Sequence, residues 1–234
     1  MTISLSIRGD VSTSPFLFKI IIFDRLVQNG IFVGEIIIMS GRNRLFDEEK
    51  AMAQAAEVFW IKGYEAASTE DLLTAMNMNK GSLYNAFGNK RELFVKVFEW
   101  FAQRFIRNMK SVFFKHTNTF EAIREIFLQV AYPNDPIDHT KGCFYINILG
   151  ETTGMDPELE KIAKEKLLEM EKLFHKELAK AQKEGQLNSS IQPALLAKYL
   201  LNLWNGLNIT RRIYSEKELE KLVELNLQLC FNKN

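Results

Sequence analysis

From Asp47 onward the chain is divided by helix starts and helix stops, and nothing between them alternates apolar and polar residues as a strand would. That punctuation confines the fold to the all-α class. Asp47 stands before Glu48 and Glu49, acids favoured at the positive end of a helix dipole, and Gly63 closes the segment. Its apolar face is expected to use Met52, Ala55, Val58, Phe59 and the stem of Lys62. Ser68, with Asp71 three residues on, starts a short second helix through Leu72, Leu73 and Ala75 that Asn77 interrupts. Asn79 starts a third, which turns Leu83 and Phe87 inward and breaks at Gly88. Asn89-x-x-Glu92 has capping-box spacing for a long helix from Lys90 to about Phe114.

The rest continues in kind. Asn118-x-x-Glu121 opens a helix through Ala131, closed by Pro133 and Pro136, and residues 143–151 form another, ended near Gly154. Asp156-Pro157, a cap followed by proline in the first turn, starts a long charged helix to Glu184. Pro193 begins an apolar helix to about Arg212, and Ser215-x-x-Glu218 begins the last one.

Composition narrows the function classes. With 234 residues, 47% hydrophobic and 25% charged, the chain has an ordinary globular balance, enough for one large domain or two sharing a core. Two distant cysteines, Cys143 and Cys230, suggest neither a disulfide framework nor a zinc site, and fit a reduced cytoplasm. Three histidines share no ligand spacing, so no metal is expected. There is no nucleophile with a base, no metal cluster and no glycine-rich phosphate loop, so neither an enzyme nor a cofactor is expected. The apolar runs at 16–23 and 31–38 fall short of the ~18 residues of a membrane span. Residues 1–38 carry no helical pattern. They read as a leader without function, with Met39 as the expected start, although Asn29-Gly30 would also suit a hairpin turn.

The net charge of +1 announces no nucleic-acid partner, and residues 41–91 hold as many acids as bases. Placement is more telling. Two short helices joined by a tight turn, within 68–87, make a helix-turn-helix whose second helix presents Asn79, Lys80, Gly81, Ser82, Tyr84 and Asn85 outward. These side chains can donate to phosphates or base edges, and Gly81 lets backbone approach a duplex. Lys90 sits at the positive end of the next helix, a position that suits a cation when a phosphate lies near.

The run Val58-Phe59-x-x-x-Gly63-Tyr64-x-x-x-Ser68-Thr69, then Leu72 to Met76, then Asn79-Lys80-Gly81-Ser82-Leu83-Tyr84-x-x-Phe87-x-x-Lys90-x-x-Leu93-Phe94, resembles the DNA-binding domain of the TetR family. The likeness covers about residues 42–95. One departure is Asn77, where the family usually has glycine; asparagine tolerates the left-handed conformation. The resemblance implies a dimeric repressor that holds a palindromic double-stranded operator and releases it to a small ligand. It implies a three-helix DNA-binding domain at 39–89 and a ligand-binding and dimerisation domain at 90–234. Ser68 and Thr69 would meet phosphate, Lys80, Ser82 and Asn85 would face the groove, and Tyr84 and Lys90 would hold the backbone. Arg42 and Arg44 resemble the family's basic N-terminal arm. Lys141-Gly142-Cys143-Phe144-x-x-Asn147 with Glu151 is similar to a segment found in several members.

For the ligand, the aromatic and apolar supply favours a hydrophobic compound against Phe105, Met109, Phe113 and Trp204, oriented by polar groups such as Asn147, His175 or Asn205. His175, among apolar neighbours, also reads as a hydrogen-bonded structural residue, and Cys143 as a small buried hydrophobe. Leucines along 193–231 suggest a homodimer through a four-helix interface. The helix from Lys90 is the expected coupling element between ligand and DNA. The competing class is a helical adaptor that never touches DNA.

Overall fold

The computed structural model describes residues 47–133, 138–187 and 190–231, the side chain of Asp138 apart. Arg42, Arg44 and the whole of 1–38 lie outside these residues. Ten helices and no strands are found among the described residues: α1 Glu48–Lys62, α2 Thr69–Met76, α3 Lys80–Phe87, α4 Lys90–Lys115, α5 Thr119–Ala131, α6 Asp138–Lys141, α7 Phe144–Thr152, α8 Pro157–Lys183, α9 Pro193–Thr210 and α10 Glu216–Phe231.

The caps form where short polar side chains precede apolar runs. Asp47 accepts from Lys50 N at 3.1 Å, Asn118 from Phe120 N at 2.8 Å, and Asp156 from Leu159 N at 3.1 Å. Two details depart from expectation. Glu92 takes the side-chain amide of Asn89 at 2.9 Å, so Asn89 caps α4 through Glu92 N without a reciprocal box. The single-turn α6 was not anticipated, being too short to show a period.

Helices α1–α3 pack into a small headpiece. Its core is Ala51, Ala55, Phe59, Leu72, Met76, Leu83 and Phe87, roofed by Leu93 and Phe94 of α4. The buried face of α1 is therefore rotated toward Ala51 and Ala56; Met52 and Val58 are only half-buried, and Lys62 is exposed. This core does not stop at α4. Phe98, Phe144, Tyr145, Ile148 and Leu159 continue it into the body. A second core, centred on Phe127, Phe174 and Trp204, holds α5, α8, α9 and α10 together. Burying a phenylalanine such as Phe59, at 0% exposure, contributes roughly 2–3 kcal/mol, so the continuous aromatic seam makes headpiece and body one packed unit.

Candidate nucleic-acid interface

The helix-turn-helix is assembled by local hydrogen bonds. Ser68 Oγ accepts from Asp71 N at 3.1 Å while Asp71 accepts from Ser68 N at 3.0 Å, a complete capping box at the start of α2. Asn77 then adopts φ 50°, ψ 48°, and the amide of Met78 closes back on Leu73 O at 3.0 Å. Asn79 Oδ1 accepts from Ser82 N at 2.8 Å and starts α3.

With Leu83 and Phe87 buried, α3 leaves Lys80, Gly81, Tyr84 and Asn85 exposed and Ser82 half-exposed. Lys80 Nζ leans toward the Tyr84 ring, 5.9 Å from its centroid. A Cβ on Gly81 would meet nothing closer than 3.5 Å, so its smallness is not demanded by the protein's own packing. Ser68 is exposed and Thr69 half-buried beside the N-terminus of α2. Asp71, the acid that would most oppose a phosphate there, is bonded to Lys62 at 2.6 Å, and that bond with the Ser68 cap holds its carboxyl down at about 2.

Lys90 requires a correction. The sequence suggested a cation that only a phosphate would satisfy, but its ammonium donates to Glu65 O at 3.1 Å and lies 4.7 Å over the Tyr64 ring. A carbonyl and a ring quadrupole offset the unfavourable helix dipole from within the protein. Lys96 similarly reaches the last carbonyls of α3, Phe87 O at 3.3 Å.

The headpiece is tied to the body by the segment the sequence singled out at 141–151. Glu151 accepts from Tyr64 N at 2.9 Å and Glu65 N at 2.7 Å, clasping the turn after α1. Gly63 there has φ 83°, and a Cβ would stand 2.7 Å from Glu151 Oε2, so both backbone and carboxylate demand glycine. Lys141, 6% exposed at its side chain, is ion-paired with Glu57 and lies 5.4 Å over the Trp60 ring. Trp60 Nε1 donates to Gly142 O at 3.1 Å. Asn147 and Arg212 both donate to Lys141 O, at 2.6 and 2.7 Å. On the other flank Arg91 pairs with Asp156 and with Glu158 at 2.8 Å, and holds the Asp156 carboxyl at about 2.

A cavity of about 210 Å³ opens behind this latch. Trp60 of α1, Phe101 and Phe105 of α4, Gln129 and Val130 of α5, Phe144 and Tyr145 of α7, and Trp204 and Asn208 of α9 line it, with Tyr132, Pro133, Gly142, Cys143 and Arg211 between. Of the ligand residues expected from sequence, Phe105 and Trp204 are brought together here, their rings 5.6 Å apart. The others are not. Met109 is buried in the second core and Phe113 packs on Phe174. Asn147 is engaged by Lys141 O and Arg212, and Asn205 does not line the cavity. His175 is exposed on α8, although its neighbours Leu173, Phe174 and Leu178 are buried. Helical periodicity told which residues turn inward but not which inward residues border a void. Burial pushes the Cys143 thiol pKa up, consistent with a small hydrophobe.

Residues 51–97 match the family model for bacterial regulatory proteins of the tetR family, and 121–224 match a tetracyclin repressor-like C-terminal domain. The chain is 30% identical over 192 residues to an uncharacterised helix-turn-helix transcriptional regulator, YezE, of Bacillus subtilis, covering 81% of this chain and 98% of that one. The chain belongs to the TetR family. It is also 30% identical to the transcriptional repressor ComR of Escherichia coli, over 79% of this chain and 88% of ComR. Among solved structures, a cysteine-substituted TetR-family regulator CifR in complex with 26-base-pair operator DNA superposes with a TM-score of 0.69 at 27% identity, covering 80% of this chain and 98% of CifR. The TetR architecture, an N-terminal helix-turn-helix and a helical C-terminal domain, is the one the described residues adopt. No observation favours the adaptor reading. Among the described residues no helix is long and apolar enough to cross a membrane, and no group of three or more potential metal ligands is found.

Proposed function

We propose that this TetR-family regulator is a cytoplasmic repressor that grips a palindromic operator as a homodimer and lets go when a small ligand fills the cavity behind α1. The observation that carries the DNA reading is the exposed face of α3. Lys80, Gly81, Tyr84 and Asn85 project from a helix locked by Asn79 and Phe87, beside the capped start of α2. Lys80, Ser82 and Asn85 read base edges; Ser68, Thr69, Tyr84 and Lys90 hold phosphates, and Arg42 and Arg44 supply a basic arm. Lys90, steadied on Tyr64 and Glu65 O, is a preorganised phosphate contact. Binding to the DNA flanking its own gene, measured at two salt concentrations, tests the reading. Double substitution Tyr84→Phe with Lys90→Ala should weaken it; unchanged affinity would remove the assignment.

The ligand reaches the headpiece by two routes. The long helix α4 is one, through Phe101 and Phe105. The second was invisible in the sequence: Trp60, on α1 itself, is a wall of the cavity and hydrogen-bonds Gly142 O, another part of that wall. A ligand that displaces either residue acts on α1 without an intermediary. Linkage then requires operator DNA to weaken ligand binding by the factor by which ligand weakens DNA binding. Equal ligand affinity with and without saturating operator would eliminate the switch.

A further inference from the structure

The cavity's polar groups point to the chemistry of its occupant. This step rests on the reading that the regulatory ligand sits in this cavity. Half of its lining residues are aromatic; among the described residues Tyr145 Oη is buried without a hydrogen-bond partner, and Trp204 Nε1 has only the Cys143 thiol beside it. Trp204 is 7% exposed and Tyr145 is 3% exposed. An indole N–H can only donate. Leaving it unmatched in an apolar interior is costly, and buried donors without partners are rare in folded proteins. The neighbouring Cys143 thiol, kept protonated by burial, is too weak an acceptor to satisfy it. Tyr145 is likewise held in its neutral, donating form, because burial raises its pKa. No acid is found among the described lining residues to receive an amine.

The volume suits a small occupant. An apolar cavity of about 150 Å³ holds a benzene molecule, so one of about 210 Å³ admits a single ring with a short substituent. We infer that the cavity takes a compact monocyclic aromatic compound carrying a hydrogen-bond-acceptor oxygen, a carbonyl or carboxylate, which receives Trp204 Nε1 and Tyr145 Oη while its ring stacks among Trp60, Phe101, Phe105 and Phe144. The oxygen gives orientation and the rings give most of the contact area.

The test uses the full chain and four probes of similar size: acetophenone and benzoate, which bear the acceptor, ethylbenzene, which lacks it, and benzylamine, which replaces it with a cationic donor. Binding is read by titration calorimetry and by tryptophan fluorescence, to which Trp60 and Trp204 of the cavity wall contribute together with Trp100. At least one acceptor probe should bind about tenfold more tightly than ethylbenzene, with benzylamine weakest; which acceptor probe wins separates a neutral carbonyl from an anion. Tyr145→Phe, which removes one oxygen and keeps the ring, and Trp204→Phe should each narrow the gap without weakening ethylbenzene. Ethylbenzene or benzylamine equal to both acceptor probes, or no binding of either acceptor probe at millimolar concentration, would overturn the inference. Operator release is followed in parallel. An acceptor probe that binds tightly and leaves the operator complex intact supports the ligand class and overturns ligand-driven release. Release by ethylbenzene and acetophenone alike does the reverse.

Discussion

Single side chains on the headpiece carry separable duties, and substitutions should separate them. On the proposed reading Lys90 is a phosphate contact blind to sequence, so with Lys90→Ala operator and random DNA should both bind more weakly and the salt dependence should flatten by about one unit of slope. Asn85→Ala, on the exposed face of α3, should lower discrimination between operator and mutated operator by roughly 1–3 kcal/mol. Anisotropy titrations on both duplexes check the pair, and a Lys90 variant that loses only specificity would reverse these roles. Ser68 has a duty in the fold itself, since its hydroxyl completes the α2 cap. Ser68→Ala should lower stability by about 1 kcal/mol in chemical denaturation. The paired carboxyls Asp71 and Asp156, each lowered from 3.8 to about 2, set a direction for pH. Depressed carboxylates stabilise above their unfolded pKa, and that contribution drains away as pH falls from 3.8 through about 2. These two groups should therefore leave the melting temperature flat near neutrality and lower it in that acid window. Asp156→Asn should shrink the acid-induced drop.

Among the elements, α7 has a role out of proportion to its nine residues. Its N-terminal side supplies Cys143, Phe144 and Tyr145 to the cavity, and its last turn places Glu151 on the Tyr64 and Glu65 amides. Any shift of α7 along its axis is transmitted to the turn that leads into α2. Glu151→Gln keeps one acceptor oxygen and loses the charge, whereas Glu151→Ala leaves two amides without their carboxylate. The alanine variant should be less stable by about 1–3 kcal/mol. It should also bind operator more weakly, with ligand producing a smaller further loss, while Glu151→Gln recovers part of both. Calorimetry and operator titrations with and without ligand check this. A variant that is destabilised yet keeps the full ligand response would show the clasp to be structural only.

At the scale of the whole molecule, the proposed homodimer would assemble through α9 and α10. Most of the leucines that suggested a dimer face are spent inside the protomer. Leu196, Leu200, Leu207, Leu219, Val223 and Leu227 are buried in its second core, as is Trp204. What remains outward is a narrower stripe: Leu195 (65% exposed), Tyr199, Leu225 (53%) and Leu229 (75%). Tyr199 Oη donates to Asn226 at 2.6 Å, which sets the outward faces of the two helices side by side. Pairing such stripes about a two-fold axis gives a four-helix interface and two recognition helices related by the symmetry of a palindrome. Leu225→Glu with Leu229→Glu should yield a folded monomer in sedimentation and abolish high-affinity operator binding. An unchanged dimer would place the interface elsewhere.

Much of this protein is local in origin and so was open to reading along the chain. Capping side chains act within three residues, a glycine or Asn77 acts on its own backbone, and helical period marks inward from outward. Hence α1 to α5 and α7 to α10, and the outward set on α3, followed from residue order alone. The TetR-like motif at 58–94 lies within such local elements. Contacts distant in sequence were closed to that reading. Nothing near Lys90 predicts that Glu65 O and Tyr64 will receive it, 25 residues away. The clasp of Glu151 spans 87 residues and the Trp60–Gly142 bond spans 82. The cavity draws on residues from 60 to 211. A void is bounded by whatever side chains fail to meet, and that depends on the relative placement of several helices at once. Tertiary packing therefore decided which aromatics line the cavity, which leucines stay outside, and that α1 itself forms part of the cavity's wall.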